Sequence, residues 1–590
     1  MNTKIFYSLS LLVFAHLLPV SAQEKDSVVN KSVTVTREFQ PIINDAGKII
    51  TSPTVVEPSV EKSKPVYSDI IAPLNMEYNV HLLKPEELLH TTLPAKNGFL
   101  RLGLGYPLNT MGDFMYPILK NEKNLLDVSL HHLGAWGNKE HSKTYGALQF
   151  NHFFENLDLY AGVGGSHDYF NYYARSIAST EYVIMSDVAS KYGDATYSAP
   201  GATNDNSISL FQLSGLPQND THWRMNAHAG ARSIPLADNL IFDASIHFDL
   251  FHSAVTNLRE NQILLKGNFN VPFEENRLGM NFDVFNFQYT NAAFTNFNAE
   301  NQYSVMKFNP FWKLIGEKGS LRLGVKTGIS IGQGQVFTPS PDVAAEWHAL
   351  PDYLSVYGGV TGDLTVNSLN RTYNENRYLS PQNRLEDTYT PLDTYLGLKL
   401  SPVFNLLLDV YGQYKVINNQ YFYINRPYEL VVPSTSAMPS TLNNLYHNRF
   451  DVLYLSATRA SVGLRTAWDY KNRINIYLKG AYHSWNVEGQ AHAWQLPNWD
   501  TDFGASVKIQ NDISLNTQFI FQDGRYAKLS DASGTKMAPV LDWNLGAAYA
   551  YRDWMSVFLK LNNILNKKYD SFYSYDVQGI NVMVGASFSF

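Results

Sequence analysis

From residue 98 onward the chain is written in segments of about ten residues whose apolar and polar positions alternate. Leu240, Phe242, Ala244, Ile246, Phe248 and Leu250 fall on one face, with Asp243, Ser245, His247 and Asp249 on the other. Leu321, Leu323, Val325, Ile329 and Ile331 oppose Arg322, Gly324, Lys326, Gly328 and Ser330 in the same way. Phe404, Leu406, Leu408 and Val410 oppose Asn405 and Asp409, with Gln413 and Lys415 further on. Ile513, Leu515, Thr517, Phe519 and Phe521 oppose Ser514, Asn516, Gln518 and Gln522. A period of two predicts strands with one greasy and one polar face.

The connections decide between a soluble sandwich and a membrane barrel. Short turns are expected at Glu155-Asn156, Pro235 to Asp238, Pro272 to Asn276, Glu317-Lys318, Pro351-Asp352, Ser401-Pro402, Lys471-Asn472, Asn511-Asp512 and Arg552-Asp553. Between them lie connections of uneven length, including Asn171 to Thr221, Leu369 to Tyr389 and Ile417 to Leu455. Short turns alternating with long loops are the mark of an outer-membrane barrel, periplasmic end against outer end. Adding a hairpin over Phe99 to Leu119, a strand at Leu125 to Gly134 and a closing strand gives roughly 22 strands, the even number such barrels need. The fold class is therefore all-β, a transmembrane antiparallel β-barrel spanning 98–590.

The closing strand is Asn581 to Phe590, with Val582, Val584, Ala586, Phe588 and Phe590 on its apolar face. It resembles the last strand of bacterial outer-membrane barrels. The resemblance makes Val584, Ala586, Phe588 and Phe590 the signature read by the barrel-assembly machinery.

At the other end, Lys4 precedes an apolar run from Ile5 to Leu18, and Pro19, Val20, Ser21 and Ala22 form a small-residue cleavage pattern. This predicts a secretory signal peptide over 1–22, cut after Ala22, because the apolar run is too short to span a bilayer. The segment 23–97 carries Pro41, Pro53, Pro58, Pro65, Pro73, Pro85 and Pro94, a density that prevents continuous ladders. It is expected to be a short Pro-rich periplasmic segment, with one strand-like patch, Ser32, Val33, Thr34, Val35 and Thr36.

Composition agrees. Aromatics make up 14% of the 590 residues and charged residues only 17%, where a soluble protein carries nearer a quarter. Tyr and Trp in such numbers suit girdles at lipid headgroups. A net charge of −7 gives no footprint for nucleic acid, and the absence of Cys excludes disulfides and thiolate ligands. No HExxH, P-loop or nucleophile elbow occurs, and the adjacent His131 and His132 fall on opposite faces of a strand. No enzyme activity and no cofactor or metal are expected.

Leu561 to Tyr569 read LNNILNKKY, followed by a Tyr-rich stretch, Gly579 and a strand ending in Phe. This C-terminal end resembles that of TonB-dependent outer-membrane receptors, whose barrels have 22 strands. Val33 to Pro41, VTVTREFQP, is similar to the family's energy-coupling box and the first residues of its plug. The family's plug is a folded domain of well over a hundred residues, so the resemblance implies a receptor barrel with the plug missing or strongly reduced.

The polar face offers a lumen lined by Asp243, His247, Asp249, Asp283, Arg322, Lys326, Asp409, Lys415, Lys479 and Lys560. These residues make either a solute path or a lining that pairs with itself. Tyr172, Tyr173, Tyr182, Tyr192 and Tyr197 in one loop, and Tyr421, Phe422, Tyr423, Pro427 and Tyr428 in another, can bind sugars or a partner, or cap the barrel. Two functions are expected: movement of a nutrient or solute across the cell outer membrane, or a non-transporting scaffold within an envelope complex. The expected partners are outer-membrane lipid, the barrel-assembly machinery and the TonB energy-coupling protein or another periplasmic envelope protein, reached by strand addition through Ser32 to Thr36.

Overall fold

The computed structural model describes residues 97–174, 182–184, 210–212, 219–234, 240–290, 302–332, 334–381, 383, 385–403, 405–429, 441–471, 473–510, 512–528 and 534–590. The leader 1–22, residues 23–96 of the Pro-rich segment with Ser32 to Thr36, and the side chains of Tyr182, Tyr192, Tyr197, Phe404, Pro427 and Tyr428 lie outside what is described.

The wall is a ring of strands: β1 Phe99–Tyr106, β2 Asn109–Lys120, β3 Asn124–Ala135, β4 His141–Phe153, β5 Leu157–Asn171, β6 Asn219–Ser233, β7 Ile241–Ser253, β8 Arg259–Phe273, β9 Asn276–Thr290, β10 Gln302–Gly316 and β11 Gly319–Ile331. It continues with β12 Phe337–Leu350, β13 Leu354–Thr365, β14 Thr388–Leu400, β15 Leu406–Glu429, β16 Thr441–Tyr470, β17 Ile474–Val487, β18 Trp499–Lys508, β19 Ile513–Asp523, β20 Val540–Arg552, β21 Met555–Asn562 and β22 Asn581–Ser589. All 22 form one sheet, each antiparallel to the next. β22 returns to pair with β1, from Phe99↔Ser589 to Tyr106↔Val582. Phe590 adds a last reciprocal pair, its N–H donating to the Gly98 carbonyl at 3.0 Å and its carbonyl accepting from Gly98 N–H at 2.6 Å. Closure leaves no strand edge unsatisfied, as a wall immersed in hydrocarbon requires.

The two faces separate as the alternation predicts. Ile246, Phe248, Leu323, Val325, Val410, Leu515 and Val584 stand outward and exposed on the ring. Phe154, Phe273, Tyr353, Tyr470, Tyr551 and Trp554, exposed beside the short turns, make a girdle at that end. The turns themselves run through residues 154–156, 274–275, 317–318, 351–353, 401–405, 471–473, 509–512 and 553–554, all at one end of the ring. Glu274, Asp352, Asn405 and Lys471 adopt positive φ there, which lets two antiparallel strands join tightly. Among the described residues no helix is long and apolar enough to cross a membrane.

One expected loop is largely strand. Much of the connection expected over Ile417 to Leu455 continues the β15–β16 ladder, as far as Glu429↔Thr441. A register shift between Ile417 and Gln420, with Asn419 at φ 55°, bends the hairpin there. Alternation is lost in this stretch because both faces beyond the bulge are buried: Tyr423 and Phe450 pack in one apolar cluster, Phe422 in another with Trp494.

Candidate functional site: the lumen and its outer lid

Residues directly paired across an antiparallel ladder share a face. The lumen charges therefore line up in rows. Lys399, Asp409, Arg465, Lys479 and Asp502 are successive partners across β14 to β18. Asp158, Arg232 and Asp243 form a second row, and Lys266, Asp283 and Lys307 a third. Opposite signs at most adjacent places, broken where Arg465 faces Lys479, convert a costly set of inward charges into mutual pairs. Arg232 meets Asp158 at 2.6 Å and Lys307 meets Asp363 at 2.7 Å.

The expected lumen residues sit in this network. Asp243 accepts from Tyr160 OH at 2.5 Å, and Asp409 accepts from Tyr357 OH at 2.7 Å. Arg322 pairs with Asp342 at 2.7 Å while its guanidinium lies over Phe311, and Lys326 donates to Thr361 Oγ1 at 3.0 Å. Lys415 pairs with Asp393 at 2.9 Å. His247 bonds Ser245 at 2.9 Å, Asp249 accepts from Gln262 at 3.4 Å, and Lys479 lies near the Tyr477 ring. Lys560 is buried with its Nζ 3.9 Å from Met111 Sδ. The ten residues thus spread around the wall rather than converging on one site. His131 turns to Asp113, and His132 to Thr110 and Thr144, so the two share no ligand.

Convergence occurs instead at the outer mouth. Residues 366–387, between β13 and β14, turn inward and carry the helix α1, Leu369–Glu375. Ser368 caps it, its hydroxyl accepting from Arg371 N–H at 3.1 Å. From β8, the buried Glu260 accepts Leu369 N–H at 2.6 Å and Asn370 N–H at 3.1 Å. Two of the donors that a helix start leaves unpaired are so met by one carboxylate.

Around this loop an aromatic core fills the mouth. Tyr373 packs against Phe251, and Tyr378 against Phe170, Tyr172 and Tyr173 of the β5 end. Tyr575, from the β21–β22 connection, stacks on Tyr378 from another side of the ring. The β15–β16 hairpin completes the lid: Ser380 N–H donates to the Phe450 carbonyl at 2.8 Å, and Phe450 N–H to the Tyr378 carbonyl at 2.9 Å. Polar ties rim the core. Arg377 and Arg224 both reach the buried Asp168, at 3.5 Å each, and His141 approaches it at 3.1 Å. Tyr421 donates to Glu375 at 2.7 Å, Arg224 to Asn370 at 2.9 Å, and Lys139 pairs with Asp576 at 2.6 Å.

Of the two loop clusters expected from sequence, Tyr172, Tyr173, Tyr421, Phe422 and Tyr423 therefore pack as capping residues. Glu260, Asp168, Arg224, Arg377, Tyr378 and Tyr575 join them without having been expected from sequence. One signal was present: Leu369, Tyr373, Tyr378, Leu379 and Leu385 are too many apolar residues for a connection left in water.

At the root of the lid, Asn367 N–H donates to Asp387 Oδ1 at 3.2 Å, and Asn367 Nδ2 to the Glu386 carbonyl at 2.8 Å. Burial pushes the Asp387 carboxyl up to about 7, the Asn367 N–H opposing it only in part.

No protein-family model and no curated protein matches the chain. Solved structures do. The siderophore receptor PirA from Acinetobacter baumannii aligns with a TM-score of 0.60 at 10% identity, covering 84% of this chain and 80% of PirA. A chain of the FpvAI–pyocin S2 complex gives 0.58 at 12%, covering 84% and 73%. The copper transporter OprC gives 0.55 at 12%, covering 84% and 80%. The fold is that of a TonB-dependent receptor barrel. The receptor-type barrel accounts for the wall and its strand number; the lid contacts are this chain's own residues.

Proposed function

We propose that this receptor-type barrel moves a solute across the outer membrane, with its outer lid as the gate. The observation that carries the reading is that the mouth is closed by connections packed onto the outer ends of wall strands. Residues 366–387 and the β21–β22 connection meet through side chains, so parting them breaks none of the 22 wall ladders. The charged rows beneath offer a solute alternating polar partners along the wall. In this reading the leader 1–22 is removed after Ala22, and 23–97 serves as a reduced plug or as an arm that adds Ser32 to Thr36 to the TonB energy-coupling protein. The structures it resembles include receptors for siderophores and a copper transporter, which favours cargo taken up from outside.

The test is conductance in planar bilayers of the mature chain, of a variant lacking 368–385, and of one lacking 23–97. Deleting the lid segment is expected to open a large steady conductance. A silent barrel in all three preparations overturns transport.

A second reading, a scaffold subunit of an envelope complex, is favoured by the depth of the lid core, where Phe170, Phe251 and Tyr575 are essentially fully buried. Pull-down from envelope extract with the arm 23–97 separates the two. Recovery of the TonB protein supports uptake; recovery of another envelope protein supports scaffolding.

A further inference from the structure

Opposite signs sit side by side through most of the lumen. Where Arg465 faces Lys479, each has an acid on its other side, Asp409 and Asp502. One row has no such relief. Arg277 of β9, Lys313 of β10 and Arg322 of β11 are successive partners across the ladder, three cations with no acid between them. Their chain neighbours Trp312 and Leu323 stand outward and exposed, so the three heads face the lumen. The row lies within a few residues of the short turns 274–275 and 317–318, at the end of the ring away from the lid.

The acids of the wall nearby are already engaged. Glu346 of β12 pairs with Lys399 at 2.8 Å, and Asp342 takes Arg322 at 2.7 Å and Lys326 at 3.7 Å. The charges acting on Lys313 are Arg322, Arg277 and, with opposite sign, that same Glu346. Glu274, Glu275 and Glu317 of the turns are exposed and, among the described residues, form no ion pair with the row. Asp342 holds Arg322 through Nε alone, while the guanidinium lies over Phe311, 3.5 Å from its ring centroid. The other Arg322 nitrogens, the Arg277 fork and the Lys313 ammonium have no hydrogen-bond acceptor among the described residues. Like charges set directly opposite one another destabilise a ladder, so this row is a cost the wall carries unaided.

We propose that the row is an oxyanion site at the foot of the lumen, for the carboxylate or phosphate of a solute leaving the barrel. Two guanidinium forks with an ammonium between them suit a group whose oxygens share a negative charge. Arg and Lys lining a pore favour anions and phosphate. Charge of one sign on a low-dielectric wall also concentrates such an anion locally. As a station for cargo the site rests on the transport reading, and it gives that reading a substrate class, an anionic solute.

The probe is pyridoxal phosphate, applied to the full mature protein in detergent at neutral pH. Its phosphate seats on the forks while its aldehyde condenses with the Lys313 amine, releasing water; borohydride then reduces the imine to a stable secondary amine. Peptide mapping reads the product. Lys313 is expected to label at least tenfold faster than with pyridoxal, which lacks the phosphate, whereas the exposed Lys318 shows no such preference. Inorganic phosphate is expected to protect Lys313 where sodium chloride of equal ionic strength does not. Arg277→Gln is expected to lower the labelling about tenfold, what one charge-assisted contact contributes. Should that variant fail to form a barrel, Arg277→Lys, which keeps the charge and loses the fork, is expected to lower it several-fold. Equal labelling by pyridoxal, protection by chloride as strong as by phosphate, or unchanged labelling in the Arg277→Gln barrel each overturns the site. Labelling that appears only after residues 23–97 are deleted overturns it too, because an acidic side chain of that segment then holds the row. A barrel that labels as expected but stays silent in bilayers keeps the oxyanion site and overturns only its use by cargo.

Discussion

Tyr378 and Tyr575 stack nearly parallel, their ring centroids 3.5 Å apart and their planes inclined by 14°. One belongs to the β13–β14 connection and the other to β21–β22, so this contact is where the lid spans the barrel mouth. Tyr173 seals the same junction, its hydroxyl donating to the Asp576 carbonyl at 2.9 Å. Tyr575 is essentially fully buried, and its removal leaves a cavity against Phe450 and Tyr378. Tyr575→Ala is expected to cost the lid about 3 kcal/mol while the wall stays closed. Bilayer recordings should then show frequent openings that the parent barrel lacks.

The start of α1 depends on a single side chain. Glu260→Ala leaves the buried Leu369 N–H and the half-buried Asn370 N–H without their acceptor, at a cost of about 2 kcal/mol. Glu260→Gln retains one acceptor and should lose less. Limited trypsin digestion reads this directly, because Arg371 and Arg377 lie within the lid. Cleavage there is expected to rise at least tenfold in Glu260→Ala and by a smaller factor in Glu260→Gln.

Acidity should tighten the lid. The Asp387 carboxyl is raised to about 7 in the folded lid, against about 4 in an unfolded chain. A raised acid contributes stability that is complete below about pH 4 and is lost as pH climbs through 7. Hydrogen exchange of 366–387, corrected for its intrinsic pH dependence, is expected to show less protection at pH 8 than at pH 5. Asp387→Asn should remove that difference.

The seam between first and last strands gives a separate test. Phe590 supplies the last backbone pair of the ring, with Gly98, and stacks its ring against Tyr116 at 6.0 Å. Deleting Phe590 is expected to lower the amount of heat-modifiable barrel in outer-membrane fractions several-fold. Material that does assemble should melt at nearly the parent temperature, because the Phe99 to Tyr106 register with β22 remains.

The wall was legible in the sequence because a strand immersed between lipid and lumen must alternate, and each segment states that alternation locally. Leu321 to Ile331 and Ile513 to Phe521 show it without reference to any other part of the chain. Turn length is equally local: Glu317-Lys318 and Arg552-Asp553 can be read as short connections from their own residues and neighbours, and both lie at the same end of the ring. Ring closure followed from counting.

The lid was not legible, since its contacts join residues hundreds of positions apart: Tyr173 and Asp576 are separated by 403. Nothing near Glu260 announces that it will receive a helix, and nothing near Asp387 announces Asn367 as its partner. Periodicity also fails where both faces are buried, as in the β15–β16 hairpin beyond Asn419. The sequence by itself determined the cylinder, through a two-residue period imposed by lipid on one side and water on the other. Tertiary packing alone decided how the cylinder is closed, because burial of a connection depends on which distant surfaces it meets.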